Sequence, residues 1–110
     1  MTGIPPTEGF ASKVWMLEGL THSVPGELSF RAGRLTLRAD AWRCFDVPLR
    51  DVQEAVFPWY YFGGGVHLTV AGQRWRLGFV RPTAEGGSVL DIREGLARGR
   101  AWRALLERRP

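Results

Sequence analysis

Apolar and polar residues alternate with period two from Lys13 to about Val80, a pattern typical of β-strands that bury one face. The alternation predicts seven strands, whose expected ranges are residues 13–19, 26–31, 34–39, 43–49, 51–57, 65–71 and 74–80. Residues 1–12 contain two prolines and two glycines and are predicted to form a flexible N-terminal arm.

Two hairpins can be paired residue by residue, because apolar side chains must share one face of the sheet. A two-residue turn at Ala32-Gly33 predicts the pairs Phe30 with Leu35, Leu28 with Leu37, Ser29 with Thr36 and Glu27 with Arg38. A turn at Gly72-Gln73 predicts the pairs Val70 with Trp75, Leu68 with Leu77, Val66 with Phe79 and Thr69 with Arg76. A one-residue slip would scramble both faces, so each register is well specified.

The period changes to that of a helix after Arg81-Pro82. Ser88, followed three residues later by Asp91, is a plausible helix start, and we expect the helix to span about 88–108. Its predicted apolar face contains Val89, Ile92, Leu96, Gly99 and Leu106, with Trp102 beside them. Gly95 and Gly99 weaken a helix, which predicts that the helix approaches the sheet closely. Pro48 should lie at a sheet edge or bulge, since it cannot donate to a ladder.

Seven short strands and a final amphipathic helix resemble the pleckstrin-homology (PH) superfold. Residues 25–37 look like the early hairpin of GRAM-type and bacterial PH-like domains, and residues 45–52 look like their Pro-Leu-x-Asp corner. Trp102, Leu105 and Leu106 resemble the plug of the final helix in these domains. The resemblance covers residues 13–108 and implies one domain, a strongly bent, seven-stranded antiparallel β-barrel or sandwich capped by a C-terminal α-helix. Phosphoinositide binding, peptide binding and scaffolding all occur on this superfold, so the fold alone does not select a function.

Composition bears on the expected cellular location of the protein and on where its charge lies. The 110 residues are 45% apolar and include a single cysteine, Cys44, which excludes an internal disulfide. We find no secretory signal and no apolar run of the roughly 20 residues that cross a bilayer, so a cytoplasmic location is expected. Residues 1–97 carry ten Lys/Arg and ten Asp/Glu, whereas residues 98–110 carry five Arg and one Glu, so the charge of +4 resides in the tail.

Phosphoinositide-binding members of the superfold cluster basic residues around the loop between their first two strands. The corresponding residues 19–26 of this chain contain no Lys or Arg, which weakens that function here. An alternative is peripheral binding of anionic lipid through arginine clusters, whose candidate residues are Arg31, Arg34, Arg38, Arg98 and Arg100. Arg31 and Arg34 flank the first turn and are either part of an anion site or simply splayed into water.

The segment from Phe57 to Phe62 holds five aromatic residues in six positions and precedes three glycines; we call residues 57–62 the aromatic segment. One interpretation is an exposed contact surface for a protein partner or a second copy, formed by Phe57, Trp59, Tyr60, Tyr61 and Phe62. The other is that alternate rings, Trp59 and Tyr61, seal the rim of the barrel. Five rings cannot all point inward from an extended segment, so some are expected to be exposed.

No residue pattern indicates catalysis, a cofactor or a metal. His22, His67 and Cys44 lack chelating spacing, and His67 is expected on the outer face of its strand, opposite Gly78. The three glycines lead into a strand and lack the Gly-Lys-Ser/Thr ending of a phosphate loop. Nucleic-acid binding is disfavoured because the basic residues lie on the terminal helix rather than beside the aromatic rings. The sequence therefore predicts a non-catalytic, PH-like interaction module that binds a protein or itself through the aromatic segment.

Overall fold

The computed structural model describes residues 9–18, 22–39, 42–61, 63–80 and 89–108. Its strands are β1 Phe10–Glu18, β2 His22–Arg31, β3 Arg34–Ala39, β4 Trp42–Pro48, β5 Val52–Val56, β6 Gly65–Val70 and β7 Gln73–Gly78. A helix, α1, spans Val89–Leu106, and two short 3₁₀ turns lie at Leu49–Asp51 and Trp59–Tyr61.

The seven strands form one antiparallel sheet in the order β4-β3-β2-β1-β7-β6-β5. Strand β1 pairs with β2 along its whole length but meets β7 only through Trp15 with Gly78 and Met16 with Leu77. This narrow junction joins a four-stranded layer to a three-stranded layer, while β4 and β5 remain the two edges. The predicted architecture of seven antiparallel strands and one C-terminal helix is confirmed, with the sheet bent rather than closed.

The β2–β3 hairpin has the predicted turn and register. Its pairs include Leu28 with Leu37 and Phe30 with Leu35. Ala32 and Gly33 both adopt positive φ, 53° and 77°, as a type I′ turn requires. The turn matches the twist of the flanking strands, which explains why local sequence was sufficient to fix this hairpin.

The predicted register of the β6–β7 hairpin is wrong by two residues. The turn is Ala71-Gly72, with φ of 52° and 79°, instead of Gly72-Gln73. The observed pairs are Val66 with Leu77, His67 with Arg76, Leu68 with Trp75, Thr69 with Arg74 and Val70 with Gln73. Glycine is needed at the second turn position here, as in the first hairpin. A two-residue shift preserves which face each side chain occupies, so the predicted core face survives while every partner changes.

Several boundaries also differ from the predictions. Strand β1 begins at Phe10, which pairs with Phe30, and β2 begins at His22. The predicted arm therefore overlaps the first residues of β1, and residues 1–8 lie outside the described residues. Pro48 ends edge strand β4, as expected, and the Leu49 N–H then donates to the Gly33 carbonyl at 2.9 Å.

The core lies between the concave face of the sheet and α1. Its fully buried side chains include Val14, Leu28, Leu35, Leu37, Val66, Leu68, Leu77, Phe79, Trp102 and Leu106. The Trp102 indole Nε1–H donates to Ser12 Oγ at 3.0 Å, and its ring centroid lies 4.3 Å from that of Phe10. The helix therefore seals the core against β1, and the buried indole donor is satisfied.

Close approach of the helix at Gly95 and Gly99 is confirmed. A Cβ at Gly95 would lie 2.6 Å from the Phe79 carbonyl oxygen, and one at Gly99 would overlap the Gly63 carbonyl oxygen. The prediction that Ile92 belongs to the buried face is wrong, because its side chain is 47% exposed. Ile92 precedes the close contact at Gly95 by nearly one turn, and Leu90 is also exposed. No helix in the described part of the chain combines the length and apolar character needed to cross a bilayer.

Candidate binding surface

The aromatic segment begins on the core and then turns outward. Phe57 is half-buried against the core, and the Arg103 guanidinium carbon lies 5.5 Å from its ring centroid. Pro58 is buried, and its carbonyl accepts the Tyr61 N–H at 3.1 Å. The Tyr61 carbonyl in turn accepts the Gly64 N–H at 2.8 Å. These bonds close the second 3₁₀ turn and define its exit into β6.

Tyr61 anchors this turn to the outer face of β6. Its hydroxyl lies 3.2 Å from His67 Nε2, and the two rings meet edge to face with centroids 5.5 Å apart. The Tyr61 ring occupies the space that a side chain at position 65 would need, since a Cβ on Gly65 would lie 2.5 Å from Tyr61 Cδ2. At least one glycine of the triplet is thus required by the packing of the ring.

The charge state of His67 is set by its surroundings. Burial lowers the pKa of the imidazole, and the nearby positive charges of Arg74 and Arg76 lower it further. The neutral form is therefore favoured, and it can exchange a hydrogen bond with the Tyr61 hydroxyl in either tautomer.

Trp59 is the most exposed large apolar residue of the described chain, at 80% of its accessible surface. The expectation that part of the aromatic segment is exposed is confirmed. The interpretation in which Trp59 and Tyr61 both seal the rim is wrong for Trp59, although Tyr61 is half-buried. The side chain of Tyr60 and the whole of Phe62 lie outside the described residues.

Arg34 is engaged within the sheet. Its Nε lies 2.9 Å from Asp46 Oδ1, and its Nη2 donates to the Asp46 carbonyl at 3.0 Å. Thr36 Oγ1 donates to the same carboxylate oxygen at 3.2 Å. Arg31 lies opposite Arg34 in the register, as predicted. Asp46 on β4 offsets the repulsion between this pair of arginines. The sequence analysis did not predict this contact, because it did not pair β3 with β4.

Arg98 joins the helix to the sheet, because its Nη2 donates to the Phe79 carbonyl at 3.0 Å. Arg31, Arg38 and Arg100 have exposed side chains on three different elements. Arg38 lies opposite Glu27 across β2–β3. The five candidate arginines for anion binding are therefore distributed over β2, β3 and α1, and two of them hold the fold together.

An open depression of about 430 Å³ lies between the first 3₁₀ turn and the β6–β7 turn. It is lined by Val47, Arg50, Asp51, Gln53, Val70 and Ala71. The Gln53 amide oxygen accepts the Gly72 N–H at 2.6 Å and is thereby occupied. Charges of both signs line the depression, so its chemistry favours no ligand class.

Among the described residues, no group of three or more His, Cys, Asp or Glu side chains is arranged to hold a metal ion. The Cys44 thiol lies 3.8 Å from the Met16 sulfur, and burial raises the pKa of this thiol. A raised pKa reduces the thiolate fraction and with it the nucleophilicity of the sulfur.

No protein-family model matches the chain, and no curated protein sequence is similar to it. Among solved structures, the chain is similar to the solution structure of the N-terminal PH domain of the human ARAP2 protein, with a TM-score of 0.53. The sequences are 6% identical, and the match covers 89% of this chain and 87% of the other. At this identity the likeness bears on the fold alone. Together with seven antiparallel strands and a C-terminal helix, it shows that the chain has a pleckstrin-homology-like fold.

Proposed function

We propose that the chain is a non-catalytic interaction module that binds a protein partner, or a second copy of itself, through the aromatic segment. The observation that carries this proposal is the 80% exposure of Trp59 on a turn whose neighbours are anchored. Leaving so large an apolar side chain in water forgoes burial worth about 1.5–3 kcal/mol. Tryptophan is also one of the residues enriched at the hot spots of protein interfaces.

The anchoring of the turn supports the same conclusion. Phe57 packs on the core, and Tyr61 contacts His67, so Trp59 projects from a segment fixed on both sides. A fixed anchor loses little conformational entropy on binding, which favours affinity. Val56, which is 42% exposed at the end of edge strand β5, adds apolar surface three residues away in sequence.

The test compares Trp59→Ser with Leu90→Ser, a matched control that removes another exposed apolar side chain. Light scattering over a range of protein concentrations reports self-association, and photo-crosslinking from position 60 in a cell extract reports a partner. We expect Trp59→Ser to remove the assembly or the crosslink while its circular dichroism stays native, and Leu90→Ser to retain both. Unchanged assembly and unchanged crosslinking in Trp59→Ser would refute the proposal.

The alternative is peripheral binding of anionic lipid through Arg31, Arg34, Arg38, Arg98 and Arg100. Arg34 and Arg98 contribute to it only by giving up the contacts that join β3 to β4 and α1 to the Phe79 carbonyl just after β7. This alternative predicts cosedimentation with phosphatidylserine vesicles that weakens steeply as salt increases. Absence of cosedimentation at low salt would remove it.

A further inference from the structure

The strands β5, β6 and β7 present an outer face that points away from the core. On β6, Leu68 and Val70 are buried, so Thr69 between them lies on the outer face. The register places Glu54 of β5 opposite Thr69, and Thr69 opposite Arg74 of β7. The outer face therefore carries a row of three polar side chains, Glu54, Thr69 and Arg74, which we call the charged row.

The charged row ends in opposite charges that the fold holds apart. Glu54 and Arg74 are both exposed. Strand β6 separates their strands, and two interstrand spacings of about 4.8 Å place their backbones roughly 9–10 Å apart. Within the described part of the chain, neither residue takes part in an ion pair. Thr69 therefore lies midway between one negative and one positive group, each at one interstrand spacing.

The neighbouring Arg76 is already used within the chain and is not part of the charged row. Its Nη2 donates to the Leu17 carbonyl at 3.2 Å, which holds the guanidinium beside β1. The outer face thus carries charges of both signs, with Glu54 on β5 and the arginines on β7. A ligand of one sign, such as an acidic peptide or an anionic membrane, is attracted by one end of the row and repelled by the other.

Apolar surface adjoins the charged row. Val56 lies two residues beyond Glu54 on the same face of β5, opposite His67, and is 42% exposed. The turn that carries Trp59 is fixed to this face, since the Tyr61 hydroxyl lies 3.2 Å from His67 Nε2. The outer face therefore combines exposed apolar side chains, which gain from burial, with two separated opposite charges.

A surface with one charge of each sign on either side of a central residue is complementary to itself. A two-fold axis parallel to β6 at Thr69 would bring Glu54 of each copy opposite Arg74 of the other, because symmetric interfaces form every contact twice. We propose that the partner of the aromatic segment is a second copy of this chain, joined through the outer faces of both copies by two Glu54–Arg74 ion pairs. This inference rests on the proposed function and chooses between its two classes of partner.

The net charge of the chain does not oppose this dimer. The charge of +4 resides in residues 98–110, whereas residues 1–97 are balanced. Trp102 and Leu106 hold this part of α1 on the inner face of the sheet, across the core from the proposed contact. Charges separated by more than about 8 Å are largely screened at physiological salt, so the basic ends of the two helices repel one another only weakly.

The experiment exchanges the charges at the two ends of the row. Glu54→Arg makes both ends positive and Arg74→Glu makes both negative, so each variant alone should dimerise about tenfold or more weakly than the wild type. An equimolar mixture of the two variants should recover the dimer, because every end then meets an opposite charge. The chain that carries both substitutions should dimerise like the wild type for the same reason. Sedimentation velocity over a range of concentrations measures the dimer, and native mass spectrometry with one ¹⁵N-labelled variant identifies the mixed dimer.

Glu94→Arg and Arg100→Glu are the matched controls. Both residues are exposed on α1, which covers the other face of the sheet, and the substitutions change the net charge by the same amounts. We expect both controls to dimerise like the wild type. Circular dichroism of every variant verifies that the fold is native.

The outcomes separate this inference from the proposed function. A wild type that stays monomeric at its highest soluble concentration would overturn the dimer, while a crosslink from position 60 to another protein would still support the aromatic segment as a contact surface. Failure of the mixed variants to recover a dimer, or equal losses in the controls, would also reject the inference. Assembly that is lost in Trp59→Ser but unchanged in Glu54→Arg and Arg74→Glu would keep the aromatic segment and reject the charged row.

Discussion

Single residues in this protein hold positions that their chemical type alone does not explain. Trp59 is exposed while Trp102 is fully buried, although both are the same residue in a chain with an ample apolar core. Trp102 lies on the face of α1 that covers the sheet and donates to Ser12, whereas Trp59 lies in the second 3₁₀ turn, outside the core. Burial of Trp102 therefore contributes to the folded core, and the exposure of Trp59 is the basis of the proposed contact surface.

His67 makes folding sensitive to pH. Its folded-state pKa lies below the value of 6.5 that describes the unfolded chain, so the unfolded state binds more protons in the range below 6.5. The stability contributed by neutral His67 is present above pH 6.5 and is lost as the pH falls through the folded-state pKa. We expect His67→Gln, which can keep a hydrogen bond to Tyr61, to show a shallower loss of stability between about pH 7 and pH 5.

Urea unfolding at a series of pH values measures this effect. The control is His22→Gln, which removes the other histidine of the chain, whose side chain is 70% exposed. Parallel curves for the wild type and His67→Gln would show that His67 does not contribute to the acid sensitivity.

At the scale of elements, two glycines without side chains determine how closely α1 approaches the sheet. Gly95 and Gly99 carry no side chain at the two points where α1 contacts backbone carbonyls of residues 79 and 63. The gap left by glycine lets Trp102, Leu105 and Leu106 reach the core in the next turns. Arg98, between the two glycines, bonds the Phe79 carbonyl and adds a polar contact to the same approach.

Gly99→Ala separates helix propensity from packing. Alanine favours an isolated helix by about 1 kcal/mol over glycine, so propensity alone predicts a more stable protein. We expect the opposite, a loss of roughly 1–3 kcal/mol, because the new methyl group must displace the Gly63 backbone. Ala97→Gly on the exposed side of α1 is the control and should cost about 1 kcal/mol through propensity. Urea denaturation compares the three proteins, and a gain in stability for Gly99→Ala would contradict the close approach.

At the scale of the whole molecule, the two ends of the described chain meet. The hydrogen bond from Trp102 to Ser12 joins residues 90 positions apart, and the Phe10 ring packs on the same indole. β1 also joins the two layers of the sheet through its pairs with β2 and β7. Closure of the core therefore depends on β1 and α1 together, and it relies on contacts between segments that are distant along the chain.

A double-mutant cycle at Ser12 and Trp102 tests this closure. Ser12→Ala leaves the buried indole N–H without a partner and should cost about 1–3 kcal/mol. Trp102→Phe removes the donor and some volume, and the double variant should be more stable than the sum of the two single losses predicts. Urea unfolding of the wild type and the three variants gives the four free energies of unfolding that the cycle compares. Strict additivity would indicate that the bond does not couple β1 to α1.

Prediction from sequence succeeded where local rules decide the outcome. The β2–β3 register, the count of strands and the close approach at Gly95 and Gly99 follow from side-chain alternation, turn geometry and glycine placement. The predicted register of the β6–β7 hairpin is wrong because a turn at residues 71–72 and a turn at residues 72–73 bury the same face of the hairpin. The pattern of buried side chains alone therefore cannot distinguish the two registers. The incorrect register also changed the predicted neighbours of His67, because it placed this residue opposite Gly78 instead of Arg76.

The sequence by itself determined which face of the β2–β3 and β6–β7 hairpins is buried, because alternation along a strand depends only on the order of residues. It therefore identified the aromatic segment and the arginines near the first turn as candidates. Only the tertiary structure decided which of these groups are already engaged, as Arg34 is by Asp46, and which meet across strands, as His67 does with Arg76. Those contacts join residues that are distant along the chain, and their geometry is fixed by the packing of the sheet and helix as a unit.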